Sequence, residues 1–185
     1  MKSLRSLTLI SALLFSAQSL ATEVAGITLP GSIAMDHQQL TLNGAGVRSK
    51  FFMDLYVGSL YLPQQAHDLQ QVLAQPSALV RLNITSGLIT AEKMRDTITE
   101  GFELATDDNI QAIAGQISQF MGLFNAPINK GDQFTFMTTK DSVSCYKNNQ
   151  LLSTIQGEAF RAALLKIWLG HAPAQDSLKD AMLGE

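Results

Sequence analysis

The sequence holds a single cysteine, Cys145, so no internal disulfide staples the chain and the fold rests on its core. Val143 and Tyr146 beside it suggest a strand, where a free cysteine packs as a small hydrophobe. No histidine lies near it in sequence to activate it as a nucleophile. Charged residues make up only 16% of the chain, and there is no basic run or patch, which argues against nucleic acid as a partner. His37, His67 and His171 lie far apart, with none of the short spacings of metal ligands, so no metal is expected. The phosphate-loop, dinucleotide and G-x-S-x-G signatures are all missing, and no cofactor is expected. Gly44 and Gly46 give a G-x-G, but Arg48 and Phe51 follow where a helix would have to open. No stretch reaches the roughly 20 apolar residues that span a bilayer.

What is present is 46% hydrophobic residues over 185 positions, enough for one domain with a sizeable core. Residues 1–21 read as a secretory signal peptide. Lys2 and Arg5 make a positive start, Leu7 to Phe15 a short apolar centre, and Ser19-Leu20-Ala21 a small-x-small cleavage site. Cleavage after Ala21 leaves a domain of residues 22–185 with 11 Lys and Arg against 16 Asp and Glu, a net charge of −5. The expected location is periplasmic or secreted.

From residue 22 the patterning has period two. Short strands are expected through Leu42, with turns at Pro30-Gly31 and Asp36-His37, His37 being solvated, and then a tight turn at Asn43-Gly44. Phe51 to Leu62 follows as an apolar strand covered on both faces, stopped by Pro63. A short helix is expected over 67–74 and a half-buried strand over 78–85, alternating Leu79, Arg81 and Asn83 with Val80, Leu82 and Ile84. Thr90 caps an amphipathic helix with Met94, Ile98, Phe102 and Ala105 on one face. Asp107 or Asp108 caps the next, with a stripe from Ile110 to Phe124. A three-strand meander over 132–155 precedes helices at 158–169 and 176–183. Strands, helices, strands, helices without strict alternation predict an α+β fold, an antiparallel sheet with helices on one face.

The chemistry that remains centres on Arg48. Its planar fork of donors suits a carboxylate or an enolate-like oxygen. If 48 to 56 ran as one strand, Arg48, Phe52, Asp54 and Tyr56 would share a face by parity. Two readings stand side by side: Arg48 as an anion receptor with Tyr56 helping, or a structural Arg48–Asp54 ion pair closing the sheet edge. Asp54 in so apolar a run needs a partner in either case. Tyr56 is more often a packing residue than a ligand.

The segment LNGAGVRSKFFMDLYVGSLYLP, residues 42–63, resembles the N-terminal signature of the chalcone isomerase-like family, in its short bacterial secreted branch. FRAALLKIWLGHAPAQDSLKDAMLG, residues 160–184, is similar to that branch's C-terminal region. The resemblance implies an open-faced β-sandwich: a large antiparallel sheet, a helical layer, and a ligand cleft between them. The family includes enzymes that close a flavanone ring, plant relatives that bind fatty acids, and noncatalytic members. Arg48 matches the arginine that the enzymes and the binders direct at an anionic oxygen. Other catalytic positions of the enzymes fall on Leu55, Met94, Gly101 and Ile167, none with a polar side chain. A greasy cleft with one cation suits an apolar ligand with an anionic head, such as a fatty acid, better than ring closure. The expected binding residues are Arg48, Tyr56, Met94, Ile98, Phe102 and Trp168, with Phe51 and Phe52 as further wall candidates. The alternatives are an isomerase or lyase using Arg48 as electrophile, and a structural or interaction protein with a filled cleft.

Overall fold

Residues 21–185 are described by a computed structural model; the leader expected at 1–21 thus lies, up to residue 20, outside the described residues. Period two after Ala21 becomes β1 (Thr22–Val24), β2 (Ile27–Leu29), β3 (Ser32–Met35), β4 (Gln38–Lys50) and β5 (Met53–Leu62). Then come α1 (Leu69–Ala74), β6 (Ala78–Ile84) and α2 (Ala91–Ala105), the last capped by Thr90, whose Oγ1 accepts from Lys93 N at 3.2 Å. Helix α3 (Ala114–Met121) sits between two 3₁₀ turns, Ile110–Ile113 and Gly122–Phe124. Strands β7 (Gln133–Thr138), β8 (Ser142–Lys147) and β9 (Gln150–Gln156) and helices α4 (Glu158–Leu169) and α5 (Asp176–Leu183) complete the described chain. Asp107 and Asp108 do not cap α3; both take positive φ in the turn after α2.

Strands β3 to β9 form one seven-stranded antiparallel sheet in chain order, and β1–β2 a separate hairpin. Helices α2, α3 and α4 cover one face. There Phe102, Phe120 and Phe160 meet, with ring centroids 5.5–5.8 Å apart, above Phe134 and Phe136 of the sheet. The sheet curls toward its other face, so that Tyr146 on β8 donates to the Asp36 carboxylate in the β3–β4 turn at 3.1 Å. Leu40, Tyr61, Leu79 and Met137 fill the inside of that curl. Strand β6 is therefore buried on both faces, not on one as its alternation suggested. Cys145 is buried, and burial pushes its thiol up to about 12.

Four two-residue hairpin turns hold positive φ at both central positions: Ala25-Gly26, Asp36-His37, Phe51-Phe52 and Asn148-Asn149. Such turns match the twist of the flanking strands and favour Gly, Asn and Asp. Phe51-Phe52 (φ 49° and 65°) has none of these. A bulky residue held there costs on the order of 1–3 kcal/mol. The apolar run that predicted a strand from Phe51 is thus two strands' ends and a turn, and Phe51 and Phe52 are 78% and 106% exposed, not wall residues.

Asn43-Gly44 is not a turn but a bulge in the middle of β4. Asn43 Nδ2 donates to the carbonyls of Ala66 and Met182, each at 2.9 Å, and its Oδ1 accepts from Ala66 N. Gly44 and Gly46 lie on the helix side of β4, and α5 rests directly on their backbone. A Cβ at Gly44 would fall 2.1 Å from the Ala181 carbonyl oxygen, and one at Gly46 2.7 Å from Ala181 Cβ. Gly44→Ala should therefore lower stability by about 1–3 kcal/mol in urea unfolding. Gly87, with nothing within 4 Å of its added Cβ, is the control and should stay within about 0.5 kcal/mol as Ala.

Candidate ligand-binding site

Arg48 and Tyr56 are direct cross-strand partners on β4 and β5, so both point to the helix side of the sheet. Parity along one continuous strand does not bring them together; the hairpin does. Arg48 Nη1 donates to the Ser49 carbonyl at 2.7 Å and to Gln175 Oε1 at 3.0 Å. Gln175 Oε1 also accepts from Ser49 N at 3.0 Å. Gln175 stands just before α5, so the helix seated on Gly44 and Gly46 also sets the angle of Arg48. Arg48 forms no ion pair among the described residues. Asp54, exposed at the hairpin, accepts instead from Ser49 Oγ at 2.8 Å, so the Arg48–Asp54 pair is not formed.

Two other arginines lie deep in the protein, and comparison separates them from Arg48. Arg161 on α4 is saturated: Nε donates to Thr138 Oγ1, Nη1 to the Leu73 carbonyl and Nη2 to the Gln75 carbonyl, at 3.1–3.3 Å. It closes the C-terminal end of α1. Arg81 sits on the opposite face of the sheet, inside the curl, with Nε on Thr135 Oγ1 at 3.1 Å and its guanidinium 5.9 Å from the Tyr61 ring centroid. Burial lowers the pKa of both. Arg48 alone of the three borders a cavity on the helix side, with Nε and Nη2 free of partners among the described residues.

That cavity has a volume of about 140 Å³. Arg48 and Tyr56 form its polar end. Leu82, Phe136, Met94, Ile98, Ile167 and Trp168 form its apolar walls, and Thr97, Glu100, Leu104 and the 172–174 segment its rim. Of the expected residues, Arg48, Tyr56, Met94, Ile98 and Trp168 are brought together here. Phe102 is not: it is 1% exposed and stacked on Phe160 in the aromatic core, one turn beyond Ile98 along α2. Of the four apolar positions that the resemblance singles out, Met94, Gly101 and Ile167 line the cavity, whereas Leu55 packs against the core. Gly101 admits Ile167, whose Cγ2 would lie 3.1 Å from an added Cβ. Sequence reasoning missed Gln175, Leu82 and Phe136. Gln175 has no local signal; Leu82 and Phe136 are at strand positions whose parity gives their face but not their neighbour. A broader hollow between α1 and α5, lined by His67, Asp68, Lys179, Asp180 and Glu185, is an open, charged surface without converging free donors.

Tyr56 is buried, and Trp168 Nε1 donates to its oxygen at 3.1 Å. This leaves the phenol proton to be donated into the cavity. Burial pushes the Tyr56 pKa above its ordinary 10.0, while the Trp168 hydrogen bond and the charge of Arg48 pull it partly back. At neutral pH the site thus offers a fixed cation and a neutral O–H donor at one end of an apolar hole. Such an arrangement can accept one anionic oxygen pair with hydrocarbon behind it.

A family model described as chalcone isomerase-like matches residues 21–184. The chain belongs to the chalcone isomerase-like family. Among solved structures, an Arabidopsis thaliana fatty-acid binding protein aligns with a TM-score of 0.68 at 14% identity, covering 89% of this chain and 96% of that one. At that identity the likeness speaks for the fold, the curled antiparallel sheet with its helical layer. Comparison with curated proteins finds no match. In this chalcone isomerase-like chain the open-faced sandwich is as the sequence led one to expect.

Tyr56→Phe removes the acceptor of a buried indole N–H and should cost about 1–3 kcal/mol. Trp168 is the sole tryptophan, so its fluorescence reports the change at the site. Because the raised pKa keeps a proton on the folded protein that the unfolded chain gives up, the Tyr56 contribution to stability is full below pH 10 and is lost as pH rises beyond it. Part of that alkaline loss should vanish in Tyr56→Phe; Tyr61 and Tyr146, also raised by burial, and Cys145, whose thiol burial pushes up to about 12, contribute to the rest.

Proposed function

We propose that this protein is a noncatalytic binding protein of the cell envelope that holds an apolar ligand with an anionic head, fatty-acid-like in chemistry, between sheet and helices. The observation that carries the reading is the free Nε and Nη2 of Arg48 beside the Tyr56 hydroxyl in the lining of an apolar cavity. A carboxylate takes two charge-assisted bonds from the guanidinium and one from the phenol. The leader read from residues 1–21 and the relative that binds fatty acids support the location and the ligand class.

Size qualifies the ligand. A cavity of about 140 Å³ is below the ~300 Å³ at which most small-molecule pockets begin. It seats a carboxylate and a few carbons; a longer chain leaves through the rim between α2 and the 172–174 segment, past Thr97 and Leu104. Ring-closing chemistry is less well served. Tyr56 holds its proton more tightly than free tyrosine, and the residues at Met94, Gly101 and Ile167 offer no side chain that exchanges one.

The test is titration with decanoate and, separately, decanol, followed by Trp168 fluorescence and thermal shift. Decanoate should bind and decanol should bind about 10- to 100-fold more weakly, from the loss of charge-assisted hydrogen bonds. Arg48→Gln should abolish the preference for the acid while remaining folded. Equal binding of acid and alcohol, or none of either, sinks the carboxylate receptor. Turnover of a chalcone would move the reading to an isomerase.

A further inference from the structure

The hairpin that carries Arg48 and Tyr56 ends in the most exposed aromatic residues of the described chain. Phe51 and Phe52 are 78% and 106% exposed, and Met53 beside them 44%. Both phenylalanines are held at positive φ, in a turn whose three counterparts in this chain carry Gly, Asp or Asn. A tip built only to reverse the chain is better served by Asn-Gly. Two strained, solvated phenylalanines therefore point to a partner outside the fold.

The surroundings say what kind. Lys50 Nζ lies 5.7 Å from the Phe51 ring centroid, so a cation flanks the aromatic tip. The β6–α2 loop is tied to the base of the same hairpin: Thr85 N donates to the Leu55 carbonyl at 3.0 Å and Thr85 Oγ1 to the Asp54 carbonyl at 3.3 Å. That loop adds Leu88, 44% exposed, with Lys93 Nζ on its carbonyl at 3.3 Å. Asp54, the nearest acid on the hairpin, is engaged by Ser49. The result is a hairpin end with exposed aromatic rings at its point and two lysines near it, Lys50 and Lys93, alongside the exposed acids Asp54 and Glu92. Its phenylalanines and Met53 offer roughly 400 Å², against the roughly 800 Å² per partner that a stable protein interface buries. A point with that little area suits a deformable apolar medium with polar headgroups, in which the rings insert and the lysines stay at the surface.

We propose that the Phe51-Phe52 hairpin tip docks the protein on a lipid bilayer, with Lys50 and Lys93 at the headgroups. The proposal deepens the ligand reading by naming where an apolar acid is met, and rests on that reading only for its purpose; docking is measured without any ligand. The net charge of −5 for residues 22–185 gives no overall attraction to anionic lipid, so insertion drives the binding and added salt weakens it little.

The experiment is flotation of the purified protein with vesicles of phosphatidylethanolamine and phosphatidylglycerol. Wild type should float with the vesicles. Phe51→Asn with Phe52→Gly, which supplies the residues this turn favours, should lose vesicle binding by about tenfold or more. The same variant should melt about 2–4 °C higher and keep its decanoate affinity in solution. Wild type that does not float, a double variant that floats equally, or concentration-dependent self-association that the double variant abolishes would each overturn the proposal. If decanoate binds neither protein while the flotation difference holds, the cavity reading has failed and the docking has not.

Discussion

Helix α5 lies so close to β4 that even a β-carbon at Gly44 or Gly46 would collide with it, and most of what distinguishes this structure depends on that approach. Gly44 and Gly46 admit the helix, and Gly58, paired with Gly46 across the hairpin, extends the flat patch under Leu178. Asn43 fixes the end of the helix through the Met182 carbonyl, and Gln175 fixes its start against Ser49 and Arg48. The arginine is oriented without a carboxylate, which would have neutralised it. A neutral amide that holds one nitrogen leaves the charge and the rest of the fork available. The same packing logic gives Arg161 to structure, where carbonyls and a hydroxyl take up all three of its nitrogens.

The pairing of Tyr56 with Trp168 does for the other half of the site what Gln175 does for Arg48. A buried indole N–H needs an acceptor, and a buried phenol oxygen supplies one. Satisfying the indole in this way spends the lone pair of Tyr56 and not its proton. Both polar groups of the cavity are thus held by contacts that leave donors free: Nε and Nη2 of Arg48 and the proton of Tyr56. The walls are aliphatic and aromatic, so an anion bound there is screened by little except these two groups.

Periodicity gave the fold class, most of the elements and the face of α2 correctly, because each is a local property of the chain. The same local reasoning misread Asn43-Gly44 as a turn. Its actual role is defined by Met182, 139 residues away, and no dipeptide preference carries that information. Phe51 and Phe52 were assigned to a strand because they are apolar; they form a turn without turn chemistry. Phe102 was grouped with Met94 and Ile98 because the three share a helical face, but one face of a 15-residue helix meets both a cavity and a packed aromatic core. The burial of Arg81 and Asn83 follows from the curl of the sheet, which alternation cannot express. Arg48 stood out early since a lone arginine beside an apolar run is unusual, and its partner Gln175 did not, since a glutamine in a loop is not.

The order in which the chain is made gives the α5 contact a temporal meaning. Every pairing in the large sheet joins strands adjacent in sequence, so each can be made from segments already next to one another along the chain. The arginine belongs to the second strand of that sheet, yet the residue that orients it comes 127 positions later, just before the last helix. Along the chain as it is made, the strands that carry Arg48 and Tyr56 come first and the residue that orients the arginine comes after them. A copy lacking α5 would leave the glycine patch bare, exposing backbone that the helix hides, and would lose Leu178, Met182 and Leu183 from the core. Orientation of Arg48 and concealment of that surface depend on the same element, and α5 decides both.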